Sequence, residues 1–161
     1  IKIHETGAKH VGILGLSFKA GTDDLRESPV ISLIRQLWQD GLEISVYDPD
    51  VNLEVLLGSN LEYLQRQLPQ IDRILRTDID SVLNECQTLV ITQKRPEFSN
   101  IQGLKSHVAV LDLVRLSNES AVTGLANYEG ISWQKKQPAK KILPFTGSDR
   151  ANNKDVAPIA R

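Results

Sequence analysis

A charged stretch near the beginning of the chain, GLSFKAGTDDLRESPV (Gly15–Val30), brings together residue types that bind anions. Lys19 carries a compact ammonium group and Arg26 a planar guanidinium, and both groups suit phosphate oxygens or carboxylates. Three further side chains can hydrogen-bond backbone amides and orient these two cations: Thr22, Asp23 and Asp24. Chemistry alone leaves two interpretations open, a ligand-binding loop and a salt-bridged turn that only stiffens the backbone.

The segments on either side of this stretch predict where it lies. The apolar run before it, KHVGILGL (Lys9–Leu16), is typical of a strand buried on both faces. After it, Ser28 is a suitable N-cap and Pro29 a suitable first residue for a helix that ends at Asp40-Gly41. The amino end of a helix favours anions, which agrees with the cations of the stretch.

The rest of the chain alternates predicted strands with predicted helices. Strands are predicted for EISVYD, TLVIT and HVAVLDLV, which are Glu43–Asp48, Thr88–Thr92 and His107–Val114. Helices are predicted for Val51–Leu57, Leu61–Leu68 and a segment that Asp78 caps and that runs to Cys86. This alternation predicts an α/β fold, a doubly wound parallel sheet with helices on both faces. Ligands of such sheets bind at the carboxyl ends of the strands, where the charged stretch lies together with YDPD and TQKRPEF.

The first strand-to-helix turn lacks a standard dinucleotide fingerprint. GILGLS provides Gly12 and Gly15 but not G-x-G-x-x-G. Asp48 lies 33 positions after Gly15, farther than the acid that usually binds a ribose. The sequence therefore predicts that this is not a standard NAD-binding half.

Charge separates an acidic body from a basic tail. Up to Trp133 the chain has 12 Lys and Arg against 18 Asp and Glu, whereas residues 134–161 have 7 against 2. The tail contains three prolines and no amphipathic period, so it is predicted to be a disordered basic extension. The acidic body argues against a nucleic-acid partner, which would require a basic face.

The remaining composition excludes several other classes. The apolar runs are too short to span a bilayer, so no membrane partner is predicted. The single cysteine, Cys86, and three scattered histidines predict neither a disulfide framework nor a metal site, which suits the cytoplasm. Because the chain contains no Met and begins at Ile1, residues 1–8 are predicted to be a leader from an upstream region.

The stretch GLSFKAGTDDLRESP resembles the signature that opens the C-terminal, nucleotide-binding domain of the UDP-glucose/GDP-mannose dehydrogenase family. The similarity continues through SNLEYLQRQLP, LVIT, VAVLDLV and YEGISW and covers about Lys9 to Trp133. Within the family the chain is most similar to the GDP-mannose branch. The segment SNLEYL indicates this branch, as does DLVR, which stands where the UDP-glucose branch usually has an Asp-Gly-Arg run.

The resemblance implies the C-terminal domain of an NAD-dependent nucleotide-sugar 6-dehydrogenase. Such enzymes oxidise the sugar C6 alcohol in two steps through a thioester on a cysteine, here from GDP-mannose to GDP-mannuronate. The implied fold is Rossmann-like, and NAD would be bound mainly by an N-terminal domain that this chain lacks. The implied partners are a GDP- or UDP-sugar, that N-terminal domain and further copies of the whole protein. The chain alone is predicted to be inactive.

The resemblance also implies roles for residues of the charged stretch. Phe18 and Lys19 match the family's Phe-Lys contact with the substrate, and Lys19 would face the nucleotide sugar. Arg26 matches an arginine that reaches NAD. The residues that would support these contacts and hold the cations in place are Thr22, Asp23 and Asp24.

The sequence departs from the family pattern at two places. The nucleophilic cysteine of the family lies in a glycine-rich motif upstream, and Cys86 does not match it, so no catalytic residue is predicted in this chain and Cys86 is expected to be a buried apolar residue. The substrate arginine of the UDP-glucose branch aligns near Val114, one position before Arg115. Arg115 is therefore a further candidate for substrate binding, and a solvent-facing role is the alternative.

Two other functions stay open at this stage. The first keeps the enzyme class and changes the substrate to UDP-glucose or another UDP-sugar. The second is a non-catalytic nucleotide-binding or assembly module that has kept the fold. An upstream glycine-rich cysteine motif and a G-x-G-x-x-G fingerprint would exclude the second.

Overall fold

Five short parallel strands form one sheet in the computed structural model, which describes residues 2–56, 58–116 and 120–130. The strands are β1 (His10–Leu14), β2 (Glu43–Tyr47), β3 (Thr88–Ile91), β4 (Ala109–Asp112) and β5 (Tyr128–Gly130). Their order across the sheet is β2-β1-β3-β4-β5, and in register Ile13 lies opposite Val46 on one side and Val90 on the other. From β1 the chain adds β2 on one side of the sheet and β3, β4 and β5 on the other. Doubly wound folds have their ligand crevice at such a switch point, here between β1 and β3.

Six helices connect or flank the strands: α1 (Lys2–Glu5), α2 (Pro29–Gln39), α3 (Ser59–Gln67), α4 (Ile71–Ile74), α5 (Ile79–Glu85) and α6 (Pro96–Ser99), among the residues that are described. α2 begins as the sequence predicts, because the Ser28 hydroxyl accepts a hydrogen bond from Val30 N at 3.3 Å and Pro29 is the first helical residue. It ends at Asp40, and Gly41 follows with φ +80°.

Side chains alternate between two apolar cores, one on each face of the sheet. Val90 of β3 packs in the core with α2 to α4, whereas its neighbours Leu89 and Ile91 pack in the core with α5 and α6. Because strand side chains point to opposite faces in turn, only a sheet covered on both sides buries such a run. The predicted fold class, a Rossmann-like doubly wound parallel sheet, is confirmed.

One predicted helix is wrong and one strand was missed. In the described part of Val51–Leu57 the chain forms only a turn, with Leu56 N donating to Asn52 O at 2.8 Å. The Asn52 side chain accepts from Glu54 N at 2.9 Å, a local bond that competes with helix propagation. β5 is three residues long, too short for a period to reveal it.

The predicted leader, residues 1–8, packs against the domain where it is described. Ile3 of α1 is 3 % exposed and belongs to the same core as α2. Thr6 Oγ1 lies 2.8 Å from Thr88 Oγ1 of β3, and Lys2 forms an ion pair with Glu129 of β5. Leu57, Trp133 and the predicted disordered tail, 134–161, lie outside the described residues.

Candidate functional site

The charged stretch begins at a turn that requires glycine. Gly15 follows β1 with φ +102°, a conformation that L side chains rarely adopt. A Cβ atom built on it would lie 2.6 Å from both Gln93 Cγ and Thr92 Oγ1. The backbone after β1 therefore lies directly against the loop after β3, and any side chain at Gly15 would separate the two.

A buried carboxylate at the end of β2 holds this turn. Asp48 Oδ2 accepts hydrogen bonds from Leu16 N at 2.7 Å, Ser17 N at 2.8 Å and Ser17 Oγ at 3.0 Å. Its other oxygen, Oδ1, accepts from Asp50 N at 3.0 Å. A carboxylate with this many donors is well compensated for its loss of water.

The loop after β3 completes the same network. Gln93 Nε2 donates to Ser17 O at 2.9 Å and to Asp48 Oδ2 at 3.2 Å, and Gln93 Oε1 accepts from Arg95 Nε at 2.9 Å. Arg95 forms an ion pair with Asp50 and lies 3.9 Å from Asp48 Oδ1. Three strand-end loops are thus joined by polar side chains that are largely buried.

Local bonds fix the backbone of the charged stretch above this network. Gly21 N donates to Asp50 Oδ2 at 2.7 Å, and Thr22 Oγ1 donates to Lys19 O at 2.8 Å. Phe18 N donates to Asp24 O at 2.8 Å. These bonds leave the Phe18 and Lys19 side chains on the outer side of a loop whose backbone is held in place.

The exposed face of the loop carries an aromatic ring and two cations. Phe18 is 63 % exposed, although large apolar side chains are usually buried. Phe18, Asp24, Arg26 and Glu27 line a shallow depression of about 450 Å³. Lys19, the residue after Phe18, is exposed as well. The site is thus an open platform, which a second surface would have to cover to enclose a ligand.

Arg26 is oriented by one carboxylate. Its Nε and Nη2 donate to Asp24 Oδ1 and Oδ2 at 2.9 and 3.0 Å, and its backbone N donates to Asp24 Oδ1 at 3.1 Å. The hydrogen bonds from the Arg26 side chain, then from its backbone, lower the pKa of Asp24, and the bond to Asp24 raises the pKa of Arg26. Arg26 therefore stays charged with its fork aligned.

The other predicted supporting residues have different positions. Thr22 bonds the backbone of Lys19 rather than a cationic side chain. Asp23 is exposed, and its carbonyl oxygen accepts from Asn60 Nδ2 at 3.3 Å. In the part of the chain that is described, the Asp23 carboxylate forms no ion pair with Lys19 or Arg26.

Arg115 lies at the same edge of the sheet, after β4. It has φ +57° and its side chain is exposed. Buried Asp112 fixes its neighbours, because Oδ1 accepts from Val114 N at 2.8 Å and Oδ2 from Leu116 N at 2.7 Å. The structure thus places Arg115 at the carboxyl edge, and among the described residues it forms no ion pair with the Phe18–Arg26 loop.

Cys86 has no features of a nucleophile. Its side chain is free and buried against Gly12, where a Cβ would lie 2.9 Å from Cys86 Cβ. Burial raises the pKa of its thiol to about 11, so the reactive thiolate is scarce at neutral pH. The prediction of a buried apolar residue is confirmed.

A second cavity, of about 420 Å³, lies beside the carboxyl end of β2 between Tyr47 and Thr77. The cation in its lining, Arg76, donates to Glu85 Oε2 at 2.9 Å and to Arg73 O at 2.8 Å. This cavity is more enclosed than the Phe18 platform, and Arg76 is already bonded to a carboxylate and a carbonyl oxygen. Arg26 on the platform is likewise paired, with Asp24, but the neighbouring Lys19 ammonium forms no ion pair among the described residues. The platform therefore offers the better anion chemistry.

The turn after β1 does not fit the pyrophosphate of a dinucleotide. Its amide donors, Leu16 N and Ser17 N, both bond Asp48, and Gln93 packs on Gly15 where a ligand would approach. Among the described residues, no helix could cross a membrane and no cluster of His, Cys, Asp and Glu could hold a metal ion.

Sequence reasoning missed Asp48, Asp50, Gln93 and Arg95 as parts of the site. The available signal was their position, since YDPD and TQKRPEF directly follow apolar strands. The sequence does not show that these residues lie close to Leu16 and Ser17.

An α/β domain with an exposed, cation-bearing loop after its first strand is the class that fold and site define. A model of the UDP-glucose/GDP-mannose dehydrogenase family, UDP binding domain, matches residues 12–119, so the chain belongs to this family. It is 37% identical to a GDP-mannose 6-dehydrogenase of Pseudomonas aeruginosa over 134 residues, 83% of this chain and 30% of that protein. It is 30% identical to a UDP-glucose 6-dehydrogenase of Rickettsia bellii over 102 residues, 63% of this chain and 21% of that protein.

A solved structure agrees with this assignment. The crystal structure of a ternary complex of GDP-mannose dehydrogenase from Pseudomonas aeruginosa superposes with a TM-score of 0.69 at 34% identity. The match covers 82% of this chain and 30% of that one. The chain thus spans less than a third of the length of these relatives.

Proposed function

We propose that this chain is the C-terminal part of an NAD-dependent GDP-mannose 6-dehydrogenase, in which it binds the nucleotide sugar and completes the active site. The observation that carries the proposal is the Phe18–Arg26 loop, with a fixed backbone and an exposed aromatic and cationic face. The substrate follows from similarity, since identity to the GDP-mannose enzyme is 37% over 83% of the chain, against 30% over 63% for the UDP-glucose enzyme.

Lys19 and Phe18 contact the nucleotide sugar in this proposal. The Lys19 ammonium offsets charge on the phosphates or on the carboxylate that forms at the sugar C6, and Phe18 offers an aromatic face. Thr22 supports Lys19 by holding its carbonyl oxygen. Because the backbone is fixed before the ligand arrives, little ordering is required on binding.

Arg26 contacts NAD that another domain carries. When bound, NAD would supply the hydride acceptor for the two oxidation steps, whereas Arg26 stays protonated and supplies only positive charge. Asp24 aligns the guanidinium through its two hydrogen bonds. Asp23 is a second acidic residue beside this pair, and Arg115 is a further candidate contact for the nucleotide sugar.

The nucleophilic cysteine lies outside this chain, because buried Cys86 cannot serve as one. The 161-residue chain alone is therefore expected to be inactive. The N-terminal NAD-binding domain supplies the missing half, and the whole protein assembles as a homo-oligomer in the cytoplasm.

NADH production by the protein with its upstream residues present tests this proposal. GDP-mannose and UDP-glucose are offered separately, and turnover with GDP-mannose alone is expected. Turnover with UDP-glucose alone would move the protein to the other branch. No turnover with either from folded protein, together with no binding of either nucleotide sugar, would indicate the non-catalytic module.

A further inference from the structure

The turn after β1 has the donor arrangement of an anion site. Successive backbone N–H groups at the end of a strand, next to the start of a helix, usually point at a phosphate in this class of fold. Here Leu16 N and Ser17 N, with the Ser17 hydroxyl, converge on one oxygen of Asp48 at 2.7 to 3.0 Å. The Asp48 side chain is completely buried.

We propose that Asp48 fills this anion site from within the fold and that, with Asp50 and Arg95, it positions the loop that carries Phe18, Lys19 and Arg26. The carboxylate takes the place that a phosphate has in a dinucleotide-binding turn. Asp48, Asp50 and Arg95 are thus positioning residues, since they act on the ligand through the loop.

Arg95 makes this arrangement electrostatically possible. Two carboxylates, Asp48 and Asp50, lie two positions apart in the loop after β2, and both accept hydrogen bonds from the backbone of the segment after β1. Arg95 forms an ion pair with Asp50 and lies 3.9 Å from Asp48 Oδ1. Without this cation, two negative charges beneath the loop would repel each other and an incoming phosphate.

Asp50 extends the effect of the network to the tip of the loop. Its Oδ2 accepts from Gly21 N at 2.7 Å, two residues beyond Lys19. Asp48 therefore fixes the base of the loop and Asp50 fixes its tip. On the proposed function, the phosphates of the nucleotide sugar then bind outside the turn, at Lys19, because the amides inside it are already used.

The first test needs no nucleotide sugar. Asp48→Gly removes the carboxylate and leaves space for a small one, so added formate should raise the thermal unfolding midpoint of the variant chain more than chloride at equal ionic strength. Asp78→Gly is the matched control, because Asp78 caps α5 through Ser81 N on the exposed surface. Formate should give no selective gain in Asp78→Gly or in the unmodified chain.

Asp48→Asn covers the case in which Asp48→Gly does not fold. It keeps the shape of the side chain and removes its charge, so the amide proton resonances of Leu16 and Ser17 should move upfield. Wild-type positions of both resonances in Asp48→Asn would overturn the proposal. An absence of selective formate stabilisation in folded Asp48→Gly would overturn it as well.

The second test uses the protein with its upstream residues. Asp50→Asn should raise KM for the nucleotide sugar about tenfold, as expected when a charged hydrogen bond is lost, with kcat changed less than KM. Arg95→Lys should retain more of the affinity for the nucleotide sugar than Arg95→Ala does. Exposed Asp40→Asn should leave both constants unchanged. Unchanged KM in Asp50→Asn would contradict the role assigned to the loop tip.

The two tests separate failure of this inference from failure of the proposed function. If no sugar nucleotide is turned over or bound but formate stabilises Asp48→Gly selectively, the enzyme assignment fails and the internal anion site stands. If GDP-mannose is turned over but neither formate nor Asp50→Asn has the expected effect, the enzyme assignment stands and the internal anion site fails.

Discussion

Two buried aspartates at the same edge of the sheet hold different parts of the backbone. Asp48 follows β2 and binds the backbone of another loop, at Leu16 and Ser17. Asp112, the last residue of β4, binds the backbone of its own loop at Val114 and Leu116, and accepts from the Tyr128 hydroxyl of β5 at 2.5 Å. The first carboxylate therefore supports the candidate site, whereas the second supports the far edge of the sheet.

Removing each carboxylate should give the largest effect and separate these roles. Asp48→Ala should lower the free energy of unfolding by about 3–5 kcal/mol, because it removes one of the three carboxylates near buried Arg95 and leaves two amides without an acceptor. Asp112→Ala removes a carboxylate that is bonded, among the described residues, only to neutral donors, so it should lower the free energy of unfolding by about 1.5–3 kcal/mol. Urea unfolding measures both. An equal or reversed order would contradict the distinction.

Lys19→Ala is expected to have the next largest effect, on binding alone. Loss of a charged hydrogen bond should weaken nucleotide-sugar binding to the full-length protein by about 1.5–3 kcal/mol, and stability should not change because Lys19 is exposed. Calorimetric titration measures the affinity. Lys9→Ala, an exposed lysine just before β1, is the matched control. Equal affinities of Lys19→Ala and Lys9→Ala would reduce the loop to a structural turn.

Arg26→Ala should affect a different ligand from Lys19→Ala. In the full-length protein it should raise KM for NAD and leave KM for the nucleotide sugar nearly unchanged, because Arg26 is assigned to the cofactor. Arg66→Ala on α3 provides the control, since Arg66 contacts only the Tyr63 ring, at 5.8 Å, among the described interactions. If KM for the sugar nucleotide rises instead, the roles of the two cations are exchanged.

The smallest expected effect is the pH dependence of the Asp24–Arg26 pair. Its hydrogen bonds lower the pKa of Asp24 from its ordinary value of 3.8. Because the pKa of Asp24 is lower in the folded than in the unfolded protein, the pair stabilises the fold fully above pH 3.8. This stabilisation is lost as the pH falls through the pKa of the folded state. Titration of the Asp24 carboxyl carbon by NMR should show this, and Arg26→Ala should return the midpoint toward 3.8. A midpoint unaffected by Arg26→Ala would show that another group causes the shift.

The sequence was sufficient where the local signals agree with one another. Ser28-Pro29 correctly predicted the start of α2, and the apolar runs correctly predicted four strands of the sheet. The turn at Asn52 was missed because its side-chain bond to Glu54 N competes with a helix that the apolar spacing favours.

The network beneath the loop could not be predicted, because its bonds join residues far apart in sequence. Asp48 meets Leu16 32 positions away, and Gln93 meets Ser17 76 positions away. Only the strand order β2-β1-β3 brings these three loops together. A reader of the sequence sees polar residues after each strand but has no measure of which ones touch.

Hydrogen exchange of the full-length protein with and without GDP-mannose tests the central claim most directly. The account predicts that Leu16 and Ser17 amides are protected in both states, because Asp48 already binds them, and that GDP-mannose adds protection between Phe18 and Arg26. Added protection confined to the cavity between Tyr47 and Thr77, with residues 18–26 unchanged, would contradict it.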